Sequence, residues 1–262
     1  MSDTVRDVVG NLGAIRKLPD FSIKNVRLYN IDCMAFMKDI PDNYYELAIV
    51  DPEYGIGADK PSTKPNIYKQ KNGKILAVRS PVYKHKDWDC QPADNKYFDE
   101  LIRISQNQII WGVNYYDYKL IGGRIIWDKL NGESDQFDCE IAYCSLNNRT
   151  DIIRYLWAGM FQGLCASKKI SEANIQQGNK ILNEKRIHPT QKPVALYKWL
   201  LTNYAKSGDK IIDTHGGSLS SACACLDLGF EFDGCEIDQE YFQNAVERLK
   251  NNVQEYFEFS VS

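Results

Sequence analysis

The segment that most limits how this 262-residue chain can fold is residues 210–238, KIIDTHGGSLSSACACLDLGFEFDGCEID. An apolar strand ends at Asp213, a Gly216–Gly217 turn follows, a helix of small residues comes next, and a second apolar strand ends at Glu236. This order predicts a βαβ unit of a parallel sheet, in which ligands bind at the carboxyl ends of the strands. The pattern is also compatible with an ordinary βαβ turn and a surface acid.

The glycine loop of this segment indicates the kind of ligand. Glycines allow the backbone to approach a nucleoside, and an acid at the end of the next strand can accept hydrogens from both ribose hydroxyls. The loop reads GGSLSS and lacks the G-x-G-x-x-G spacing, which counts against a dinucleotide with a pyrophosphate. A nucleoside cofactor without phosphate, such as S-adenosylmethionine, therefore fits better.

Strands and helices alternate along most of the remaining chain. Strands are predicted at 25–31, 46–51, 107–112, 123–129 and 139–146, and helices at 33–40, 95–104, 193–205 and 239–252. The helix at 193–205 has a strongly amphipathic pattern, and Asp238 is placed to cap the last helix. This alternation predicts an α/β fold with a largely parallel sheet and helices on both faces.

Composition argues against several classes of protein. No run of eighteen apolar residues occurs, and the N-terminus lacks the basic and apolar regions of a secretory signal. We therefore expect a cytoplasmic protein without membrane contact. The eight cysteines include no C-x-x-C pair, which predicts reduced core thiols and no metal site.

Positive charge is concentrated in two stretches, although the net charge is −3. Lys60–Lys86 contains eight basic residues and no acid, and Lys168–Lys192 contains six basic residues and two acids. Local positive segments can attract a polyanion to one face of an acidic protein. A solvated loop without a ligand would have the same composition.

A second candidate element follows the strand at 46–51 and reads Asp51-Pro52-Glu53-Tyr54-Gly55. A carboxylate and a backbone carbonyl that accept both N–H bonds of an exocyclic base amine favour a pyramidal nitrogen with a localised lone pair. Asp51 and Pro52 offer these two acceptors, and Tyr54 offers a ring to stack on a base taken out of the duplex. Methyl transfer from a sulfonium then needs mainly proximity and alignment. A common loop tetrapeptide would have the same residue types.

Together these elements resemble the β-class DNA amino-methyltransferases, which methylate N6 of adenine or N4 of cytosine. DPEYG is similar to the D-P-P-Y loop of this family, DTHGGS to its cofactor loop, and HPTQKP at 188–193 is the most specific match. The resemblance covers roughly residues 25–250. It implies a Rossmann-like fold with a circularly permuted motif order (catalytic loop before cofactor loop), S-adenosylmethionine as cofactor, and double-stranded DNA with a flipped-out base as substrate.

The resemblance also implies roles for individual residues. The catalytic residues would be Asp51, Pro52 and Tyr54. The cofactor would be bound by Asp32, Asp51, Thr190, Lys192, Asp213, His215, Gly216, Gly217, Ser218, Glu236 and Ile237. The base pocket would be lined by Trp111, Asn114, Trp127, Asp128 and Lys129, although core packing alone explains both tryptophans equally well.

Two positions depart from the family pattern. Glu53 replaces the second proline of D-P-P-Y and adds negative charge beside the pocket. Leu219 replaces the second glycine of the cofactor loop's G-x-G, at the start of a helix. The first proline, whose carbonyl would bind the base, is retained as Pro52, so we predict an active enzyme.

Adenine N6 is the preferred target, because aspartate at position 51 is commoner in the adenine enzymes of the family and serine in the cytosine enzymes. The alternatives are a cytosine N4 enzyme, a catalytically inactive DNA-binding protein with the same fold, and an RNA or protein amine methyltransferase. We expect one domain over 1–262, with a basic loop insertion at 58–90 and a target-recognition insertion at 147–187. A monomer or homodimer in a bacterial or phage-infected cell is expected, and a restriction-modification role is among those that fit.

Overall fold

The computed structural model describes residues 17–58, 66–69, 75–78, 86, 88–130, 137–158, 161–164 and 183–259. Its strands are β1 (Phe21–Ile23), β2 (Val26–Asn30), β3 (Tyr45–Val50), β4 (Asn66–Lys69), β5 (Ile75–Val78), β6 (Ser105–Trp111), β7 (Gly123–Asp128), β8 (Cys139–Cys144), β9 (Thr150–Ala158), β10 (Phe161–Leu164), β11 (Lys210–Asp213) and β12 (Glu231–Glu236). Its helices are α1 (Cys33–Met37), α2 (Asn95–Ile104), α3 (Val194–Tyr204), α4 (Ser220–Leu228) and α5 (Gln239–Phe259), and Val113–Tyr115 form a short 3-10 helix.

Ten strands form a mixed sheet in the order β1-β2-β12-β11-β3-β6-β8-β7-β9-β10, and β4 pairs with β5 in a separate hairpin. The central run from β2 to β6 is parallel, with Ile211 of β11 opposite Leu47 of β3 and Phe232 of β12 opposite Val26 of β2. These five strands therefore end at the same edge of the sheet. The prediction of a Rossmann-like α/β fold with a mostly parallel sheet is confirmed.

Side chains of the central strands alternate between two buried faces. In β3, Leu47 and Ile49 pack on one face, and Ala48 and Val50 pack on the other. The first face is covered by α3, α4 and α5, and the second by α1 and α2. Since both faces are covered, the strand sequences are almost uninterrupted apolar runs, and the prediction of helices on both faces is confirmed.

Three helices begin at an aspartate whose carboxylate accepts a backbone N–H of the first turn. Asp32 accepts from Ala35 at 2.9 Å at the start of α1, and Asp238 accepts from Tyr241 at 2.9 Å at the start of α5. Asp94 does the same for α2. Each bond satisfies a donor that has no partner within the helix, and the predicted cap at Asp238 is confirmed.

Helix α3 differs from its prediction as a strongly amphipathic helix. Leu196, Leu200 and Leu201 are buried in the core, and Trp199 packs partly against the same core from another side of the helix. The reason is that α3 packs against α4 as well as against the sheet. Its apolar residues are therefore spread around most of the helix.

Two strands lie within 147–187, a span in which the sequence pattern predicted no strand. β9 pairs in parallel with β7, where Ile152 lies opposite Ile126, and β10 pairs with β9. The pattern of β9 is weak because this strand lies near the edge of the sheet, where Ile152 is 43% exposed. Residues 165–182 and most of the basic stretch Lys60–Lys86 lie outside the described residues.

The described cysteines are free thiols, and four of them, Cys144, Cys223, Cys225 and Cys235, are buried. Burial raises the pKa of the Cys223 thiol to about 11, so this thiol is protonated and packs as a small apolar side chain. Among the helices that the structure describes, none combines the length and the apolar composition needed to cross a bilayer.

Candidate active site

The carboxyl ends of the central strands carry the acids that the sequence analysis singled out. Asp51 directly follows β3, Asp213 is the last residue of β11, and Glu236 is the last residue of β12. β11 lies between β3 and β12, and all three strands run in the same direction. The loop at Asp51 and the glycine loop after Asp213 therefore meet at one edge of the sheet.

A cavity of about 370 Å³ lies at this edge and is lined by both loops. This volume is in the range of small-molecule sites. The predicted cofactor-binding residues that line it are Asp32, Asp51, Thr190, Lys192, His215, Gly216, Gly217, Ser218, Glu236 and Ile237. Asp213 is the member of that predicted set that does not line the cavity.

The glycine loop and Glu236 are held together by backbone hydrogen bonds. Gly217, at φ +51°, donates its N–H to Glu236 Oε2 at 2.6 Å, and Asp238 donates its N–H to Oε1 at 2.7 Å. Burial raises the pKa of the Glu236 carboxyl, while these two N–H donors act in the opposite direction. Each carboxylate oxygen keeps a further acceptor site, so Glu236 presents a fixed pair of acceptors to the cavity.

Asp213 supports the glycine loop from behind. Its Oδ1 accepts the His215 N–H at 3.1 Å, and its Oδ2 accepts the Ser221 hydroxyl at 2.6 Å. Burial raises the pKa of Asp213 to about 6. The geometry thus gives Asp213 a loop-orienting position rather than the direct contact with the cavity that was predicted.

Leu219 adopts a left-handed backbone conformation, with φ +51° and ψ +41°, immediately before α4. An L-residue is disfavoured in this conformation by about 1–2 kcal/mol, and glycine adopts it freely. The Leu219 side chain is fully buried, and a Cβ added to Gly216 or Gly234 would lie 2.6 Å or 2.9 Å from Leu219 Cδ2. The leucine therefore fills space that these two glycines leave open, which offsets the strain at the position of the family's glycine.

The opposite wall of the cavity comes from the end of the basic stretch and from α5. Lys86 Nζ lies 2.7 Å from Asp238 Oδ1 and 4.1 Å from the centre of the Tyr241 ring. His188 packs between the rings of Trp88 and Tyr241, at centroid distances of 5.4 Å and 4.3 Å. Burial lowers the pKa of His188 to about 3, so this imidazole is neutral and contributes ring surface rather than charge.

Asp89 holds the backbone of the catalytic loop, residues 51–55. Its Oδ1 accepts the N–H groups of Tyr54 and Gly55 at 2.9 Å and 2.7 Å, and its Oδ2 accepts the N–H of Ala58 at 2.7 Å. Asp89 is 1% exposed. Ala58 and Asp89, which flank the basic stretch, are thereby tied together near the catalytic loop.

A buried chain of alternating charges runs from the catalytic loop to β8. Lys192 is 3% exposed and forms ion pairs with Asp51 Oδ2 and, at 3.0 Å, with Glu140 Oε2. Glu140 also pairs with Lys129 at 2.5 Å. Tyr54 donates its hydroxyl hydrogen to Asp51 Oδ1 at 2.5 Å and accepts a hydrogen bond from Lys192 at 3.1 Å. Four charges thus compensate one another in a low-dielectric site.

The pKa values in this chain follow from burial and pairing. Burial raises the pKa of the Asp51 carboxyl, and the Lys192 ammonium opposes this effect. For Glu140 the lysines outweigh burial, and its pKa falls to about 2. The two carboxylates also raise the pKa of Lys192 against the effect of burial. Of these two carboxylates, Asp51 therefore takes up a proton more readily than Glu140.

The two other predicted catalytic residues, Pro52 and Tyr54, are not among the residues that line the cavity. The Pro52 carbonyl accepts a hydrogen bond from the Tyr116 hydroxyl at 3.0 Å. The Tyr54 ring stacks on Tyr115, with the centroids 4.8 Å apart and an interplanar angle of 15°. One face of Tyr54 is therefore covered by another aromatic ring.

The residues predicted to line a base pocket are only partly brought together. Trp111 and Trp127 are buried in the core, where Trp127 donates to the Tyr155 carbonyl at 3.0 Å, so core packing accounts for both. Asn114 is exposed on the 3-10 helix, and Asp128 pairs with Arg154 at 3.4 Å. Lys129 joins the catalytic charges through Glu140.

Sequence reasoning did not single out Glu140, Asp89 or Tyr116. Glu140 and Tyr116 lie in the segments CEIAYC and GVNYY, which read as an ordinary strand and loop. Asp89 lies at the end of the basic stretch, and its sequence context DWDC has no motif. Their roles depend on contacts between residues 31 or more positions apart, so local spacing contained no signal for them.

Comparisons with known proteins agree with this geometry. The model of the DNA methylase family N6_N4_Mtase matches residues 59–247. Type II methyltransferase M.HpaI from Haemophilus parainfluenzae is 25% identical over 241 residues, which is 85% of this chain and 74% of that protein. DNA adenine methyltransferase YhdJ from Escherichia coli (strain K12) is 35% identical over 69 residues, 26% of this chain and 24% of that protein.

A crystal structure of M1.HpyAVI in complex with SAM has the same fold, with a TM-score of 0.50, 19% identity, and coverage of 85% of this chain and 99% of that one. The family match spans well over half of the sequence and includes Glu140, Lys192, the glycine loop and Glu236. It begins just after the catalytic loop, which the structure places at the same sheet edge. On this basis the chain belongs to the N6_N4_Mtase family of DNA methylases.

Proposed function

We propose that this chain transfers a methyl group from S-adenosylmethionine to N6 of adenine in double-stranded DNA. The observation that carries the proposal is that one cavity contains a carboxylate suited to hold a base amine and another suited to bind a ribose. Asp51 belongs to the catalytic loop, Glu236 is fixed beside the glycine loop, and both line the cavity. Direct transfer between a base and a nucleoside cofactor requires such proximity.

The walls of the cavity suit S-adenosylmethionine. Glu236 offers two oriented acceptors for ribose hydroxyls, and Ile31 and Ile237 offer apolar surface for a purine ring. Asp32, Asp51 and Glu236 make the lining acidic. An acidic lining disfavours a phosphate and favours a cationic sulfonium, so the donor set fits this cofactor better than a dinucleotide.

Asp51 is placed to hold the amine and to accept its proton. When bound, S-adenosylmethionine would supply the methyl group of its sulfonium, and the neutral thioether S-adenosylhomocysteine would leave as the sulfur–methyl bond breaks. The amine loses one proton as its nitrogen bonds to the methyl carbon, and Asp51 accepts that proton. Burial raises the Asp51 pKa and the Lys192 ammonium opposes this rise, so Asp51 is a better base than an exposed aspartate while its ionised form keeps a cationic partner.

The hydrogen bonds already present at the catalytic loop are compatible with binding of the amine. The Pro52 carbonyl accepts one bond, from Tyr116, and a carbonyl has two lone pairs. Each Asp51 oxygen likewise has one partner, Tyr54 or Lys192. One N–H of the amine to Asp51 and one to Pro52 therefore displace no existing donor.

The basic stretch supports DNA as the substrate. The described residues that flank it meet beside the catalytic loop, where Gly57 and Ala58 bond to Asp89. A segment with eight basic residues and no acid that starts and ends at this point suits the phosphates flanking a flipped-out base. We expect DNA affinity to fall steeply as the salt concentration rises.

The choice of adenine rests on Asp51 and on a relative that is 35% identical over 69 residues. Aspartate at this position is commoner in the adenine enzymes of the family, and the 35% identical relative is named as a DNA adenine methyltransferase. Cytosine N4 presents two N–H bonds to the same acceptors, so the mechanism does not separate the two bases. Modified nucleosides must be identified directly.

The test is methyl transfer from labelled S-adenosylmethionine to mixed-sequence DNA, followed by digestion and mass spectrometry of the nucleosides. We expect N6-methyladenine from the wild-type protein and no product from Asp51→Ala, with cofactor binding retained in a calorimetric titration. N4-methylcytosine would reassign the base. Full activity of Asp51→Ala would refute the mechanism, and binding of cofactor and DNA without any product would favour an inactive DNA-binding protein.

A further inference from the structure

Glu53, which replaces the second proline of the catalytic loop, has a partner in the cofactor loop. Its Oε2 lies 3.2 Å from Nε2 of His215. Both side chains line the cavity, and they are 31% and 14% exposed. Glu53 follows β3 and His215 follows β11, so this contact joins the two loops that must act together on a methyl group.

Besides Glu53, the His215 imidazole contacts its neighbour Thr214 and residues of α1 and α2. Its Nδ1 lies 3.0 Å from the Thr214 hydroxyl, which contacts the Tyr97 hydroxyl at 2.7 Å, and its ring packs edge-on against Tyr97 at 4.8 Å. Cys33 Sγ lies 3.9 Å from Nε2. The imidazole therefore cannot turn away from Glu53 without breaking contacts with Thr214, Cys33 of α1 and Tyr97 of α2.

The pair is charged on both sides at neutral pH. Burial lowers the pKa of His215, but Glu53 and Cys33 outweigh it and raise this pKa well above its usual range. Burial raises the pKa of Glu53, but His215 outweighs it and brings the value to about 2. The other acids that act on this imidazole are Asp213 and Glu236. A cation at position 215 thus neutralises a carboxylate that the family's proline does not have.

We propose that Glu53 and His215 are a positioning pair that fixes the catalytic loop to the cofactor loop and cancels the Glu53 charge beside the cofactor. The inference rests on the proposed function, because it requires S-adenosylmethionine in this cavity. It makes Glu53 a compensated replacement rather than a defect. It also assigns His215 to Glu53, in addition to the backbone bond of His215 to Asp213.

A double-mutant cycle tests the pair through cofactor binding. Glu53→Leu and His215→Phe each leave one ionisable group in a half-buried site without its partner, whereas the double variant leaves two apolar groups of similar shape. We expect each single variant to weaken S-adenosylmethionine binding about tenfold, and the double variant to recover most of this loss. Calorimetric titration at pH 8 measures the affinities, with Lys198→Met, which removes an ion pair with Asp227 outside the cavity, as the control.

A second measurement separates charge cancellation from loop packing. S-adenosylhomocysteine has the same shape as the cofactor but carries no sulfonium charge. In His215→Phe the carboxylate of Glu53 is uncompensated, so the preference for S-adenosylmethionine over S-adenosylhomocysteine should rise by about threefold. In Glu53→Leu the His215 imidazole lacks the carboxylate that raises its pKa. We expect it to be neutral at pH 8, so this preference should stay at the wild-type value.

The outcomes separate the two proposals. If the wild-type protein binds no S-adenosylmethionine, the proposed function fails before the pair is tested. If the wild-type protein binds it but the two single losses add in the double variant, or if the ligand preference of His215→Phe is unchanged, the positioning pair is refuted while the proposed function stands. Recovery in the double variant together with the altered preference supports the pair.

Discussion

The cofactor side and the catalytic side of the cavity are built in different ways. On the cofactor side, residues 213–238 of one continuous segment bring backbone N–H groups to Glu236, and most contacts span twenty residues or fewer. On the catalytic side, Asp51, Lys192, Glu140 and Lys129 come from separate segments and are joined by ion pairs. The first arrangement depends on local chain geometry, and the second depends on a balance of charges.

The difference predicts how each side responds to substitution. Removing one group from the cofactor side should weaken ligand binding and leave the charges at Asp51 unchanged. Removing one charge from the catalytic side should alter the others, because each of the four has a neighbour of opposite sign in a site with little water. Four substitutions test this contrast: a pair on the catalytic side comes first, and two on the cofactor side follow in order of decreasing effect.

Lys192→Met should have the largest effect. It leaves Asp51 and Glu140 as two carboxylates without their shared cation, and we expect about a thousandfold loss of kcat/KM, or about 4 kcal/mol. Because the cation holds the Asp51 pKa down, its removal raises that pKa. The acid limb of the pH–rate profile should therefore move to higher pH. Activity measured across pH 5 to 9 checks this result.

Glu140→Gln is the companion variant for this prediction. Glu140 acts to raise the Asp51 pKa, so its neutralisation should move the acid limb in the opposite direction, to lower pH. A general loss of folding would lower activity at every pH and would not move the limb in opposite directions in the two variants. If the acid limb moved in the same direction in Lys192→Met and in Glu140→Gln, the proposed balance of charges around Asp51 would be contradicted.

Glu236→Gln should have an intermediate effect confined to the cofactor. The amide keeps the shape of the side chain but loses charge-assisted bonds to Gly217 and Asp238, which contribute about 1.5–3 kcal/mol each. We expect the Kd for S-adenosylmethionine to rise about ten- to a hundredfold, with kcat at saturating cofactor almost unchanged. Glu231→Gln, at the exposed start of the same strand, is the matched control. A large fall in kcat would show that the two sides are not separable.

Leu219→Gly should have the smallest effect on catalysis. Glycine removes the left-handed strain of about 1–2 kcal/mol but empties a buried leucine site, which usually costs about 2–5 kcal/mol. We therefore expect a net loss of roughly 1–3 kcal/mol in the free energy of unfolding, measured by denaturant titration, although the variant restores the family's glycine. A more stable variant would show that packing of the leucine side chain beside Gly216 and Gly234 does not offset the backbone strain at position 219.

The contrast also explains which parts of the molecule sequence reasoning predicted. The βαβ unit at 210–238, the two-sided sheet and the cap at Asp238 are set by local patterns, and the structure contains all of them. β9 was missed because this strand lies near the edge of the sheet, where some of its side chains are exposed and its pattern is mixed. Asp213 was placed in the cavity because the motif shows where an acid stands and not which way its side chain points.

The catalytic charges could be predicted only in part. The D-P-P-Y resemblance identified Asp51, and the HPTQKP segment identified Lys192, but nothing in either motif indicated that the two side chains pair. Glu140 and Asp89 become relevant only when β8 and the end of the basic stretch reach the sheet edge. Their roles depend on contacts between segments that are distant in the sequence, so a short stretch of sequence does not reveal them.

The hydrogen bonds of Asp89 to the catalytic loop and to Ala58 have a consequence for protein engineering. Since Gly57 and Ala58 are tied to Asp89, the catalytic loop is fastened on the protein side of that junction. A segment inserted between Ala58 and Lys86 would begin and end next to residues whose positions these bonds fix. We therefore expect that its length and sequence can be changed without changing the geometry around Asp51. Under the proposed function, we expect such an exchange to change the affinity for DNA and to leave the contacts around Asp51 unaltered.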